Sequence, residues 1–84
     1  MRVLYFAWVR QKVGTAEDSF GTLPQDVCDV GGLMKHLAAR GGGYAEAFGH
    51  ARQIRAAVNQ EFAGPDHPVR VGDEVAFFPP VTGG

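Results

Sequence analysis

Residues 2 to 9 hold the feature that most limits the fold. Val3, Leu4, Tyr5, Phe6, Ala7, Trp8 and Val9 form an unbroken apolar run rich in aromatic and β-branched side chains. A run this short makes a poor helix and a good strand. On a period of two, Val3, Tyr5, Ala7 and Val9 face one way while Leu4, Phe6 and Trp8 face the other. Both faces are apolar, so the expectation is a strand buried on both sides.

The rest of the chain supplies what such a strand needs. Arg10 to Gly14 reads as a short helical turn closed by Gly14, and Asp18 to Val27 as a weaker second strand ending around Pro24. From Asp29 the period changes. Val30, Leu33, Met34, Leu37 and Ala38 recur at i, i+3, i+4, i+7 and i+8, one apolar helical stripe, with Asp29 as its N-cap and Arg40-Gly41-Gly42-Gly43 as its stop. Tyr44 to His50 suits a second short helix. Ile54 to Val58 reads as a strand leading into an Asn59-Gln60 turn, and Gly64 to Pro68 as loop. Glu74 to Phe78 forms a last strand, with Val75 and Phe77 on one face and Ala76 and Phe78 on the other. The order strand, strand, helix, strand, strand is an α+β arrangement, a mixed sheet covered by one main helix.

With 84 residues there is room for one domain, assigned to residues 1–78, followed by a tail of residues 79–84. Six Phe, two Tyr and one Trp within 45% hydrophobic residues are enough for a core without disulfides or metal. Eight basic against nine acidic residues, a net charge of −1, leave no electrostatic footprint for nucleic acid or an anionic membrane. The single Cys28 and the lack of a leader-like start fit a reducing cytoplasm, and no apolar run reaches the length of a membrane span.

Self-contained chemistry finds little support. Cys28 has no base marked for it, His36, His50 and His67 lack metal-ligand spacing, and Asp73-Glu74 suits a turn better than a catalytic carboxylate pair. Gly41 to Gly43 follows a helix and has no lysine in the order a phosphate loop needs. The tail is different. Pro79-Pro80 cannot continue a strand and hold an extended path, and residues 79–84 fully extended span roughly 20 Å. Gly83-Gly84 lack Cβ atoms, so they can thread a narrow channel and leave a carboxylate open to attack, although a glycine pair at a frayed end also arises by chance.

The whole closing stretch, Asp73-Glu74-Val75-Ala76-Phe77-Phe78-Pro79-Pro80-Val81-Thr82-Gly83-Gly84, closely resembles the C-terminus of the small subunits of molybdopterin synthase. Val3-Leu4-Tyr5-Phe6-Ala7, Val9-Arg10, Val13-Gly14, Ala56-Ala57-Val58-Asn59-Gln60 and Asp66-His67-Pro68 are similar to that family too. The resemblance implies a β-grasp, ubiquitin-like fold. It implies a sulfur carrier whose Gly84 carboxylate is adenylated with ATP by a partner enzyme, converted to a thiocarboxylate, and delivered into the large synthase subunit. There the sulfur passes to a pyranopterin precursor in molybdenum cofactor biosynthesis, in an assembly of two small and two large subunits. No cofactor is expected on this chain, and the catalytic side chains belong to the large subunit.

The arm entering the partner would be Phe78, Pro79, Pro80, Val81, Thr82 and Gly83. If Val3, Tyr5, Val75 and Phe77 pack on the helix, then Leu4, Phe6, Trp8, Ala76 and Phe78 lie on the opposite face, where an exposed apolar patch suits docking. Two other readings share the glycine end. One is a ubiquitin-like modifier joined to lysines through Gly84. The other is the sulfur carrier of thiamine thiazole synthesis, whose family lacks the Phe77-Phe78-Pro79-Pro80 approach.

Overall fold

The computed structural model describes residues 1–80. Nine elements follow one another: β1 (Arg2–Tyr5), α1 (Ala7–Val13), β2 (Glu17–Ser19), α2 (Val30–Ala38), α3 (Gly42–Phe48), a 3₁₀ turn (Ala51–Gln53), β3 (Arg55–Val58), β4 (Glu61–Ala63) and β5 (Glu74–Phe78). The five strands form one sheet in the order β2-β1-β5-β3-β4. β1 and β5 run parallel at its centre, and every other pairing is antiparallel. A parallel pair needs a long crossover, and nearly the whole chain supplies it.

One face of this mixed sheet carries the core. Val3, Tyr5, Val75 and Phe77 are essentially inaccessible, as are Leu33 and Leu37 of α2 and Val9 of α1. Phe48 closes the packing from α3, edge-on to Phe77 with ring centroids 5.0 Å apart and to Tyr5 at 6.2 Å. The helix α2 begins where expected: Asp29 Oδ1 accepts from the Gly32 N–H at 2.7 Å, and Val30, Leu33 and Leu37 are its buried side. Gly43 does more than end a helix, because a Cβ there would overlap the Lys12 carbonyl oxygen where α3 crosses α1.

The run from Arg2 to Val9 is not one strand. β1 ends at Tyr5, Phe6 remains extended, and Ala7 turns into the left-handed region at φ 54 to open α1. Within α1, Val9 and Val13 fall at i and i+4 on the core side while Arg10, Gln11 and Lys12 are exposed. Trp8 therefore sits on a helix, half-buried against the core, and is not a member of the outer sheet face. The doubly apolar pattern arises because two successive elements each bury one side. Gly14, at φ 91, closes α1 as expected, its N–H reaching the Arg10 carbonyl at 2.8 Å.

Two other expectations shift. The second strand is only Glu17–Ser19, paired with Leu4, Val3 and Arg2 and flanked by the Tyr5–Ala16 and Met1–Phe20 backbone bonds; Val27 is buried from a loop. Glu61–Ala63, unassigned from the sequence, forms β4. Asn59 and Gln60, at φ 51 and 70, make the two-residue turn that folds it back on β3.

Asp18, on β2, is tied to β1, to α3 and to the segment that follows α2. Its Oδ2 accepts from Tyr5 of β1 at 2.9 Å and Tyr44 of α3 at 2.6 Å, and meets Arg40, just past α2, at 3.3 Å. The Arg40 guanidinium also lies over the Tyr44 ring at 4.9 Å and the Phe20 ring at 5.2 Å. Burial, and then the bond to Asp18, hold the Tyr5 hydroxyl proton far above its ordinary pKa of 10.0. The unfolded chain loses that proton first. The contribution is therefore complete below pH about 10 and declines as pH rises beyond it. Denaturation midpoints measured from pH 8 to 11 should fall at the alkaline end. Tyr5→Phe should flatten that fall while losing roughly 0.5–1.5 kcal/mol at neutral pH; Tyr44, raised for the same reasons, leaves a residual slope.

Candidate functional site: the outer sheet face and the β5 exit

The C-terminal arm leaves from the middle of the sheet because β5 lies between β1 and β3. The start of β5 is clamped. Asn59 Nδ2 donates to Asp73 Oδ1 at 3.0 Å, the Glu74 N–H donates to Asn59 Oδ1 at 3.0 Å, and the Asn59 N–H donates to the Glu74 carbonyl at 2.8 Å. The Asn59 amide, and then the Arg70 N–H, hold the Asp73 carboxyl below the usual carboxylate range. At the other end, the Phe6 N–H donates to the Phe77 carbonyl at 3.0 Å. Beyond Phe78 come Pro79 and Pro80, which have no N–H to give, so sheet pairing stops there.

Opposite the core, one line of apolar residues crosses the sheet. Leu4 pairs with Ala76, Ala76 with Ala57 and Ala57 with Phe62, each alternating with an inward neighbour. Phe78 stands beside Phe62 with ring centroids 5.9 Å apart. Phe62 is 83% exposed and Phe6 49% exposed, the two largest aromatic surfaces left open among the described residues. A hollow of about 540 Å³ lies between Phe62, Phe78, Pro80, Arg55 and Gly64 at the foot of the arm. Ala47, Phe48 and Ile54 belong to the core on the other side of the sheet.

Of the sequence-derived docking residues, the structure brings Leu4, Ala76 and Phe78 together, leaves Phe6 exposed at the end of β1, and removes Trp8 to α1. Val81, Thr82, Gly83 and Gly84 lie outside the described residues. Phe62 was missed. A two-residue turn at Asn59-Gln60 pairs Val58 with Glu61 and hence Ala57 with Phe62, so the turn itself carried the signal.

Among the described residues, no group of three His, Cys, Asp or Glu is placed to hold a metal ion, Cys28 is an exposed thiol, and no helix is long and apolar enough to cross a membrane. Asp29 is occupied as a helix cap and Asp73 as a strand clamp.

A mixed five-stranded sheet wrapped on one face by helices, with an arm leaving its central strand, defines the β-grasp, ubiquitin-like class. The chain belongs to the ThiS family, whose pattern matches residues 3–84. It is 45% identical over 84 residues to the molybdopterin synthase sulfur carrier subunit of Escherichia coli, covering 100% of this chain and 99% of that protein. The protein of the same name from Haemophilus influenzae is 36% identical over 88 residues, again with 100% and 99% coverage. Among solved structures, SAMP1 from Haloferax volcanii superposes with a TM-score of 0.72 at 26% identity, covering 100% of this chain and 98% of that one.

Exposed and buried aromatics should separate cleanly. Phe62→Asp should change stability by no more than about 0.5 kcal/mol, as for other surface sites. Phe77→Ala should cost about 3–5 kcal/mol. Urea titrations of the two variants measure the difference, and a large loss in Phe62→Asp would place that ring in the core.

Proposed function

We propose that this chain is a sulfur carrier in molybdenum cofactor biosynthesis, the small subunit of a molybdopterin synthase, with its reactive group on Gly84. A partner enzyme uses ATP to adenylate the Gly84 carboxylate, and sulfur loading converts it to a thiocarboxylate. The large synthase subunit then receives the arm and accepts the sulfur onto a pyranopterin precursor. Two sulfurs per product require two loadings. The observation that carries this reading is the closing stretch from Asp73 to Gly84 within a chain that matches the ThiS family to its last residue.

The division of labour follows from the chain's make-up. Residues 1–78 form the body and 79–84 the arm, with Phe78, Pro79, Pro80, Val81, Thr82 and Gly83 as the partner-entering path. Leu4, Phe6, Ala76 and Phe78, with Phe62 added, form the docking face for the large subunit, in an assembly of two small and two large subunits in the cytoplasm. This chain contributes no acid, base or metal; it contributes a carboxylate and a fit. Proline at 79 and 80 reduces the conformational freedom lost when the arm enters a channel, which favours binding.

Deleting Gly84 should abolish molybdopterin formation in a reconstituted system while leaving the urea midpoint of the truncated chain unchanged. Sulfur transfer by the truncated chain would overturn the proposal. Denaturing pull-down of tagged protein separates the modifier alternative: a ladder of covalent adducts that depends on Gly84 would favour conjugation over sulfur carriage.

A further inference from the structure

The face of the sheet that carries the core is incompletely covered. Between α2 and the β3–β4 edge lies an open trough of about 660 Å³. Its floor and walls are apolar, with Met34 and Ala38 from α2, Ala51 from the 3₁₀ turn, Ile54 and Ala56 around the start of β3, and Ala63 from β4. None of the lining residues is acidic, and two exposed cations stand on opposite banks, Lys35 on α2 and Arg52 on the 3₁₀ turn. The Arg55 guanidinium folds back to the Arg52 carbonyl at 2.9 Å, bringing a third positive charge to that bank. The five ion pairs among the described residues use none of the three. A chain with net charge −1 has gathered unneutralised positive charge around an apolar trough.

We propose that this trough is a docking site for an acidic amphipathic helix of a partner protein. The wall formed by α2 runs from Val30 to Ala38, eight residues on, or about 12 Å of helix. That length matches the i, i+3, i+4, i+7 anchors with which an amphipathic helix enters a groove. Apolar anchors would cover Met34, Ala38 and Ala63, while carboxylates on both flanks of the incoming helix meet Lys35 on one side and Arg52 with Arg55 on the other. The open side leaves the partner's polar face in water. The trough opens on the core side of the sheet, away from the Leu4–Ala76–Ala57 line, and meets the hollow beside Phe78 only at the β3–β4 edge, through Arg55, Ala56, Ala63 and Gly64; the site stands whatever chemistry Gly84 carries.

The test is an NMR titration of the full ¹⁵N-labelled chain with a helix-stabilised 12-residue peptide, leucine at the i, i+3, i+4, i+7 positions and glutamate on both flanks. A matched peptide carries lysine in place of glutamate. The expected result is saturable shifts at Met34, Ala38, Ala51 and Ala63 with the glutamate peptide alone, weakened at least tenfold by combined Lys35→Glu and Arg52→Glu and weakened by added salt. Both substituted residues are exposed, and a dispersed spectrum confirms that the variant folds; Lys35→Gln with Arg52→Gln should give a smaller loss in the same direction. Equal binding of the lysine peptide, no saturable shift, or shifts confined to Leu4, Ala76 and Phe62 would overturn the proposal. So would groove shifts produced by dodecanoate without any from the peptide, or by raising the chain's own concentration, which would assign the trough to a small amphipathic anion or to a second copy.

Discussion

The parallel pairing of β1 with β5 is the contact on which the rest of the structure depends. Arg2 to Tyr5 lie against Glu74 to Phe77, so the beginning of the chain and its last strand are neighbours at the centre of the sheet. Everything between has to cross from one to the other, and the helices that make the crossing bury Val3, Tyr5, Val75 and Phe77. The same pairing decides where the arm emerges. Because β5 is flanked on both sides, Pro79 leaves from the middle of the sheet with Phe6, Phe62 and Phe78 around the exit. Breaking the β1–β5 contact would dissolve the core and displace the arm together.

Much of this was legible in the residues. The α2 stripe, its Asp29 cap, the Gly14 stop, the Asn59-Gln60 turn and the span of β5 all follow from local chemistry, and the structure reproduces them. The departures have different physical causes. Trp8 was read onto the outer face because alternation continues unbroken through Phe6 and Ala7. Only the turn at Ala7, φ 54, moves Trp8 and Val9 into a helix. Phe62 carries no assignment from the sequence because three residues are too few to show a period, and its place comes from pairing with β3. The Asp18 junction brings together Tyr5, Arg40 and Tyr44, up to 26 positions away, and no local pattern marks it.

The division between body and arm also organises the function. A small sheet with one face packed under helices has its other face free, and here that face is apolar along a single line from Leu4 to Phe62. Exposed aromatics of that size cost solubility unless something covers them, and under the proposed function the partner that receives the arm would cover them. The trough beneath α2 is a second open surface of different character, apolar with a cationic margin. Under the proposed function, a carrier passing from an activating enzyme to an accepting one would benefit from surfaces that distinguish them.

The central claim is that Gly84 carries the transferable sulfur, and intact-mass measurement tests it most directly. Protein isolated from cells with an active sulfur-loading system should show a population heavier by the difference between one sulfur and one oxygen. That increment should map to the C-terminal peptide, disappear with Gly84 deleted, and persist in Cys28→Ser. An increment that followed Cys28, or a chain that never gained sulfur beside a loading system active on other carriers, would contradict the account.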